Sequence, residues 1–243
     1  MSDPLAPLLE LPGVADSVAA ARTAVDALLG NRALRRRSAD VSAESSLRGA
    51  WASAVLSGAR VSLDDVRSGA AADDPVVQGA LRAQAGIPAL TDTWTRAPRQ
   101  ALARLHALAA ADLVGADALG RPTAGAERLD TLAAVLAETS APAVVVAGIV
   151  QGELLSLDAF APASGVVART AVRLTLIERG LDPKSLVVIE AGHRDLAADY
   201  AEALDAYRSG TPEGIAEWLR HCAAAVAAGA RESTAICEAI LRG

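Results

Sequence analysis

The chain has 243 residues and a formal net charge of −6, and 52% of its residues are hydrophobic while only 2% are aromatic. This apolar content is enough for one sizeable core or two small ones, and the abundance of alanine favours closely packed helices. The acidic balance argues against a nucleic-acid partner, and no apolar run is long enough to span a membrane.

Helical spacing dominates the first part of the chain. It predicts a helix from Val14 to Leu29, which Gly30 ends. Residues 32–40 are predicted to be a charged connection. Ser42 is then expected to cap a helix that runs to about Leu56.

Serine and proline mark the next helix starts. Ser62 is predicted to cap a short helix, and Asp74-Pro75 to begin a longer one that Gly86 to Pro88 breaks. Pro98 begins another helix. The irregular piece at 115–125 contains G-x-x-x-x-G, but proline follows where a phosphate loop needs lysine and a hydroxyl residue, so we reject that motif.

The run from Ala143 to Leu157 is ambiguous from its residues alone. Its β-branched content is typical of a buried strand, and with residues 186–190 it would suggest an α/β fold. Its length, and the proline just before it, favour a helix instead. The two interpretations are evenly balanced on local pattern.

The C-terminal part is predicted to be helical. Helices are expected from Arg194 to Ser209, from Pro212 onward, and over the last turns up to Leu241. Cys222 and Cys237 lie on apolar helical stripes and are expected to be small buried hydrophobes rather than a disulfide scaffold. The N-terminus lacks the features of a signal peptide, so we expect a cytoplasmic protein.

Residues 151–180 combine a small-residue loop with a helix start, a shape that binds anions through free backbone N–H groups. The simpler interpretation is a helix–loop–helix corner in which glycine and serine serve the turn. Arg169 lies one turn into the helix. It could hold an anion, hydrogen-bond neighbouring carbonyls, or pair with Glu153 or another acid.

This stretch resembles the signature loop of the Fic (Fido) family, His-x-Phe-x-Asp/Glu-Gly-Asn-Gly-Arg-x-x-Arg. Phe160, Gly165 and Arg169 match it. Asp158 stands in the position of the catalytic histidine, and Pro162 in that of the acidic metal ligand. Ala163, Ser164 and Val166 replace the glycine, the asparagine and the first arginine.

An upstream segment resembles the family's inhibitory helix, Ser-x-x-x-Glu-Gly. Ser53 and Gly58 match this pattern, while Ser57 stands in the position of the glutamate. The resemblance extends over residues 43–219, and it implies that the run from Ala143 to Leu157 is the central buried helix that leads into the loop. It implies an all-α, Fic-like helical domain at 42–243 behind an N-terminal helical extension at 1–41, with the family's β-hairpin flap reduced or absent.

The resemblance also implies what the loop would do in an active member. The histidine activates a target hydroxyl for attack on ATP, the acidic residue holds Mg²⁺, and the arginines hold the phosphates. Asp158 would be a weaker base than histidine, and Pro162 cannot bind a metal. We therefore expect no AMP (nucleotidyl) transfer, no metal and no required cofactor, with ATP and Mg²⁺ left as an open question.

These residues leave two candidate functions. One is a degenerate Fic-like protein that binds an unknown protein partner, its own copy, or a residual nucleotide or anion at Phe160, Ser164, Gly165 and Arg169. The alternative is a divergent nucleotidyl or phosphoryl transferase that uses Asp158. The three histidines have no metal-binding spacing to one another, and His193 is interpreted as a helix-start residue.

Overall fold

The computed structural model describes residues 3–242. The regular secondary structure in that range is entirely helical, with a short 3-10 helix at Ala6–Glu10 followed by α-helices. The eleven helices are α1 Val14–Leu29, α2 Leu34–Leu56, α3 Leu63–Ser68, α4 Pro75–Arg96, α5 Pro98–Ala109, α6 Ala126–Glu138, α7 Ala143–Leu157, α8 Ser164–Glu178, α9 Ile189–Asp195, α10 Ala197–Arg208 and α11 Pro212–Arg242. The predicted all-α fold is confirmed. No helix in the described range is long and apolar enough to cross a membrane.

The helices α7 and α8 form a hairpin at the centre of the molecule. Along α8, every residue from Val166 to Leu176 is buried, including two arginines. One large apolar cluster lies on the side of α1, α9 and α11, and a second on the side of α4, α5 and α6. Because both clusters contain residues of α7 and α8, the hairpin joins the two cores and fixes the loop between its helices.

The strand alternative for 143–157 is wrong, since this segment is α7. Its glycines explain why a helix fits there. A Cβ at Gly148 would come within 2.8 Å of Leu219, and one at Gly152 within 2.8 Å of Trp218 and Tyr207. The apolar run is therefore a helix that packs closely against α10 and α11.

The predicted start of the second helix is wrong. The helix α2 begins at Leu34, with a kink at Arg37, so residues 34–40 are helical and Ser42 is not a cap. The predicted division between residues 41 and 42 falls inside this helix. The Ser42 hydroxyl instead donates to the carbonyl of Lys184 at 3.2 Å, a partner 142 residues away that the sequence did not indicate.

Gly86 to Pro88 does not break α4, which continues to Arg96. Buried residues recur at helical spacing on both sides of the proline, and they end with Ile87, Leu90 and Trp94. This burial offsets the one backbone hydrogen bond that proline removes. Tertiary packing therefore overrides the local stop signal.

The crossing of α9 and α11 provides a test of the packing. A Cβ on Gly192 would lie 2.0 Å from the carbonyl oxygen of Ala225. We expect Gly192→Ala to lower the free energy of unfolding by about 3 kcal/mol or more in urea denaturation, because backbone must move. Gly30→Ala is the matched control, since its nearest contact would be 3.5 Å. Equal effects of the two changes would contradict this packing.

Candidate functional site

The loop between α7 and α8 is held by hydrogen bonds from both sides. The backbone N–H of Phe160 donates to Ser164 Oγ at 3.1 Å, and the N–H of Thr123 donates to the carbonyl of Ala159 at 2.8 Å. The Phe160 side chain is buried against His106, with ring centroids 5.5 Å apart. Phe160 and Ser164 therefore maintain the shape of the loop.

Asp158 ends α7 in the left-handed region, with φ 46° and ψ 32°, and it is exposed. Pro162, also exposed, has no side-chain oxygen to offer a metal. Val166 is 3% exposed and belongs to the apolar core. Of these three positions, only Asp158 presents a charged group to solvent.

Arg169 is directed away from solvent and toward α2. Its Nε donates to Ser53 Oγ at 3.0 Å, and its Nη2 donates to the Ser53 carbonyl at 2.8 Å and to Ser57 Oγ at 2.6 Å. The side chain folds over Gly165, where a Cβ would lie 3.0 Å from Nη2. The structure thus brings together Gly165 and Arg169 from the signature loop with Ser53 and Ser57 from the inhibitory-type helix.

The remaining predicted positions have simpler surroundings. Gly58 lies at φ 99°, a conformation that glycine adopts without strain, and it follows the end of α2. Glu153 does not reach Arg169. It pairs with Arg128 at 2.7 Å and accepts a hydrogen bond from the Tyr207 hydroxyl.

The face of α2 toward α8 carries small residues at intervals of four, continued by the residue that caps the helix. They are Ser45, Gly49, Ser53 and the C-cap Ser57, which we name the α2 small-residue stripe. Its first half receives Arg173, one turn after Arg169. Arg173 Nη1 donates to Ser45 Oγ at 3.3 Å. A Cβ at Gly49 would lie 2.3 Å from Arg173 Nη2, so the guanidinium occupies the space that a larger side chain would need.

Arg173 also forms a buried ion pair with Glu190 of α9, at 2.7 Å, and both side chains are at most 1% exposed. Gln84 Nε2 of α4 donates to Glu190 Oε1 at 2.6 Å. This network joins four helices. The sequence interpretation missed it. The available signal was a pair of arginines four residues apart on a helix whose other positions are mostly apolar.

A second buried polar group lies between α7, α9, α10 and α11. His193 Nδ1 is 3.1 Å from His221 Nε2, and His193 Nε2 is 3.0 Å from Gln151 Oε1. Gln151 Nε2 donates to the Tyr200 hydroxyl, so Gln151 Oε1 accepts from His193 and fixes the tautomer. His193 lies inside α9 and is fully buried, which corrects its interpretation as a helix-start residue.

Mg²⁺, the metal that the resemblance implies, does not fit the residues of the loop. Mg²⁺ takes hard oxygen ligands, and Pro162 supplies none where the acidic ligand is expected. Within residues 3–242 no three His, Cys, Asp or Glu side chains lie together in a group that could hold a metal ion. Residues 115–125, where the resemblance places the flap, form turns without a β-hairpin.

The ion pair of Arg173 and Glu190 predicts a large mutational effect. Glu190→Ala leaves a buried guanidinium without its carboxylate, and we expect a loss of about 3–5 kcal/mol in the free energy of unfolding. Asp130→Ala, which removes the exposed partner of Arg99, should cost no more than about 1 kcal/mol. Denaturant titration measures both. A loss for Glu190→Ala no larger than that of the control would contradict the buried pair.

The buried histidines predict a pH dependence. Burial, together with His221 and Arg169, lowers the pKa of His193 well below 6.5. The unfolded chain then binds the proton more readily, so stability decreases as the pH falls below about 6.5. We expect this group to contribute a slope of up to about 1.4 kcal/mol per pH unit down to the folded pKa. Denaturant titrations from about pH 7 to pH 5 should show a smaller slope for His193→Gln. An unchanged slope would contradict this assignment.

No protein-family model and no curated protein matches the sequence. Among solved structures, the chain is similar to the crystal structure of a Fic family protein from Desulfovibrio desulfuricans G20, with a TM-score of 0.73 and 19% sequence identity. The match covers 93% of this chain and 75% of that chain. At this identity the likeness concerns the fold and not the activity. This chain therefore has the Fic fold that residues 151–180 predicted.

Proposed function

We propose that this Fic-fold protein does not transfer a nucleotide and acts by binding a protein partner. The observation that carries the proposal is the position of Arg169, which is 2% exposed and makes three hydrogen bonds to α2. A cation in these contacts is a poor phosphate ligand. To hold a phosphate it would have to leave Ser53 and Ser57, whose buried hydrogen bonds would then be lost.

The charges around the loop support the same proposal. A triphosphate needs positive charge near the start of α8, and Val166 at the first arginine position supplies none. Asp158 would place a carboxylate beside the phosphates, which repels them. A missing general base by itself typically costs about 10²–10⁴ in rate. The loop has lost the base, the metal ligand and one arginine together.

Binding as the function follows from what the chain retains. The central hairpin, the buried α8 and the inhibitory-type helix are all present, although the loop lacks its chemistry. A fold retained without its reaction is suited to presenting a surface to another protein. A second copy of this chain is the simplest partner to examine, and sedimentation equilibrium would detect it.

Nucleotide binding is the direct test. We expect no heat of binding in calorimetric titrations with ATP, ADP or AMP at millimolar concentration, with or without Mg²⁺. We also expect no transfer of label from ATP to proteins of a cell extract. Binding that Arg169→Ala abolishes, in a variant shown by thermal unfolding to be folded, would contradict the proposal.

One observation favours a second candidate, a divergent transferase. Asp158 is an exposed carboxylate held in the left-handed backbone region, a conformation that is found at functional sites more often than elsewhere. This candidate requires label transfer that Asp158→Ala abolishes. Because Asp158 is exposed, the variant should fold. Asp112→Ala, at an exposed aspartate on another loop, is the control and should leave label transfer unchanged.

A further inference from the structure

A cavity of about 550 Å³ lies far along α8 from the signature loop, between α2, α4, the end of α8 and the turn at 183–185. This volume is within the range of sites that hold small molecules. Its walls are mostly apolar, with alanines of α2 and α4, Ile87 and Ile177 among the lining residues. The cavity is separate from the positions considered for nucleotide binding.

Lys184 is the one charged residue that lines the cavity, and it is also the only lysine in the chain, against 22 arginines. It is exposed and forms no ion pair within residues 3–242. Its side chain makes one hydrogen bond, to Ser38 Oγ at 3.3 Å. A cation at the mouth of an apolar cavity without acidic lining is complementary to a carboxylate with an apolar body.

Gln84 lines the same cavity and is 4% exposed. Its Nε2 donates to Glu190, which accepts only, so the amide cannot be turned around. Its Oε1 is buried and has no hydrogen-bond partner in the described residues. In addition, Pro88 has no N–H to donate to the Gln84 backbone carbonyl. Gln84 therefore carries acceptors that lack a donor beside the cavity, and a bound molecule whose N–H or O–H group reaches them would satisfy them.

The wall that carries Lys184 is held in place by the buried network. Ser185, at φ 51°, accepts two hydrogen bonds from Arg173 Nη1, each 3.1 Å long. The Asp182 carboxylate accepts hydrogen bonds from the backbone N–H groups of Leu186 and Val187, at 2.9 and 2.8 Å. This anchoring positions the cavity wall before any ligand binds, which lowers the cost of binding.

We propose that this cavity binds a small apolar carboxylate that also carries an N–H or O–H donor, the chemistry shared by N-acylated amino acids and hydroxy acids. The carboxylate pairs with Lys184, the apolar body lies between α2 and α4, and the donor satisfies Gln84. N-octanoylglycine, 3-hydroxyoctanoate, octanoate and octylamine are probes that separate these contributions.

Calorimetric titration of the full chain tests the site. N-octanoylglycine or 3-hydroxyoctanoate should bind with one-to-one stoichiometry and more tightly than octanoate, and octylamine should bind more weakly than octanoate. Whichever of N-octanoylglycine and 3-hydroxyoctanoate binds more tightly shows whether the preferred donor is an amide N–H or a hydroxyl O–H. Binding of octylamine as tight as that of octanoate, or no binding of any acid at millimolar concentration, would overturn the proposal. Equal binding of all three acids would overturn the role of Gln84.

Matched variants locate the binding. Ala85→Leu fills the cavity and should weaken binding about tenfold or more, while Ala89→Leu, also exposed on α4 but outside the cavity lining, should not change it. Lys184→Gln should weaken acid binding about two- to fivefold, as expected for an exposed ion pair, with Arg60→Gln as control. No effect of Ala85→Leu would overturn the assignment.

The single lysine gives a second readout. An acetylating reagent modifies Lys184 as the only lysine, and mass spectrometry of the peptide that contains it reports the rate. A bound acid should slow this modification in proportion to the occupancy measured by calorimetry. A rate that stays constant at saturating acid would show that binding occurs elsewhere.

Discussion

Two guanidinium groups buried on a mostly apolar helix set the requirement that the rest of this structure meets. Arg169 and Arg173 are buried on α8, and a buried cation without partners costs several kcal/mol. Both are received by the α2 small-residue stripe, because serine supplies oxygen acceptors and glycine supplies space. Glu190 adds a buried carboxylate, which forms its ion pair with Arg173. The packing of α2 and α9 onto α8 is thus specified by polar contacts as well as by apolar area.

The same contacts determine what the start of α8 offers to a ligand. Helix N-termini bind anions through free backbone N–H groups, and an adjacent cation strengthens the binding. Here the adjacent cation lies over Gly165 at the helix start, but its Nε–H and Nη2–H groups are donated to Ser53 and Ser57. A serine in the position of the inhibitory glutamate holds the arginine by neutral hydrogen bonds. The side chain is therefore restrained even though no carboxylate pairs with it in the described residues.

Much of the fold could be predicted from the sequence, because helix starts and apolar spacing are local. The helices at Val14, Leu63 and Pro98 follow from such signals, and the resemblance at Phe160, Gly165 and Arg169 indicated the arrangement of the helices. The errors have a common cause in long-range contacts. Packing carries α4 through Pro88, and α2 begins before Ser42. Gln84 meets Glu190 across 106 residues, a pairing that no local pattern encodes.

We propose that its hydrogen bonds to Ser53 and Ser57 keep the Arg169 side chain from binding an anion. Nuclear magnetic resonance of its Nε–H group tests this most directly, since that hydrogen is donated to Ser53 Oγ. The account predicts a resonance that exchanges slowly with water and keeps its position when ATP is added to millimolar concentration. A rapidly exchanging signal, or one that ATP shifts in a saturable manner, would contradict it.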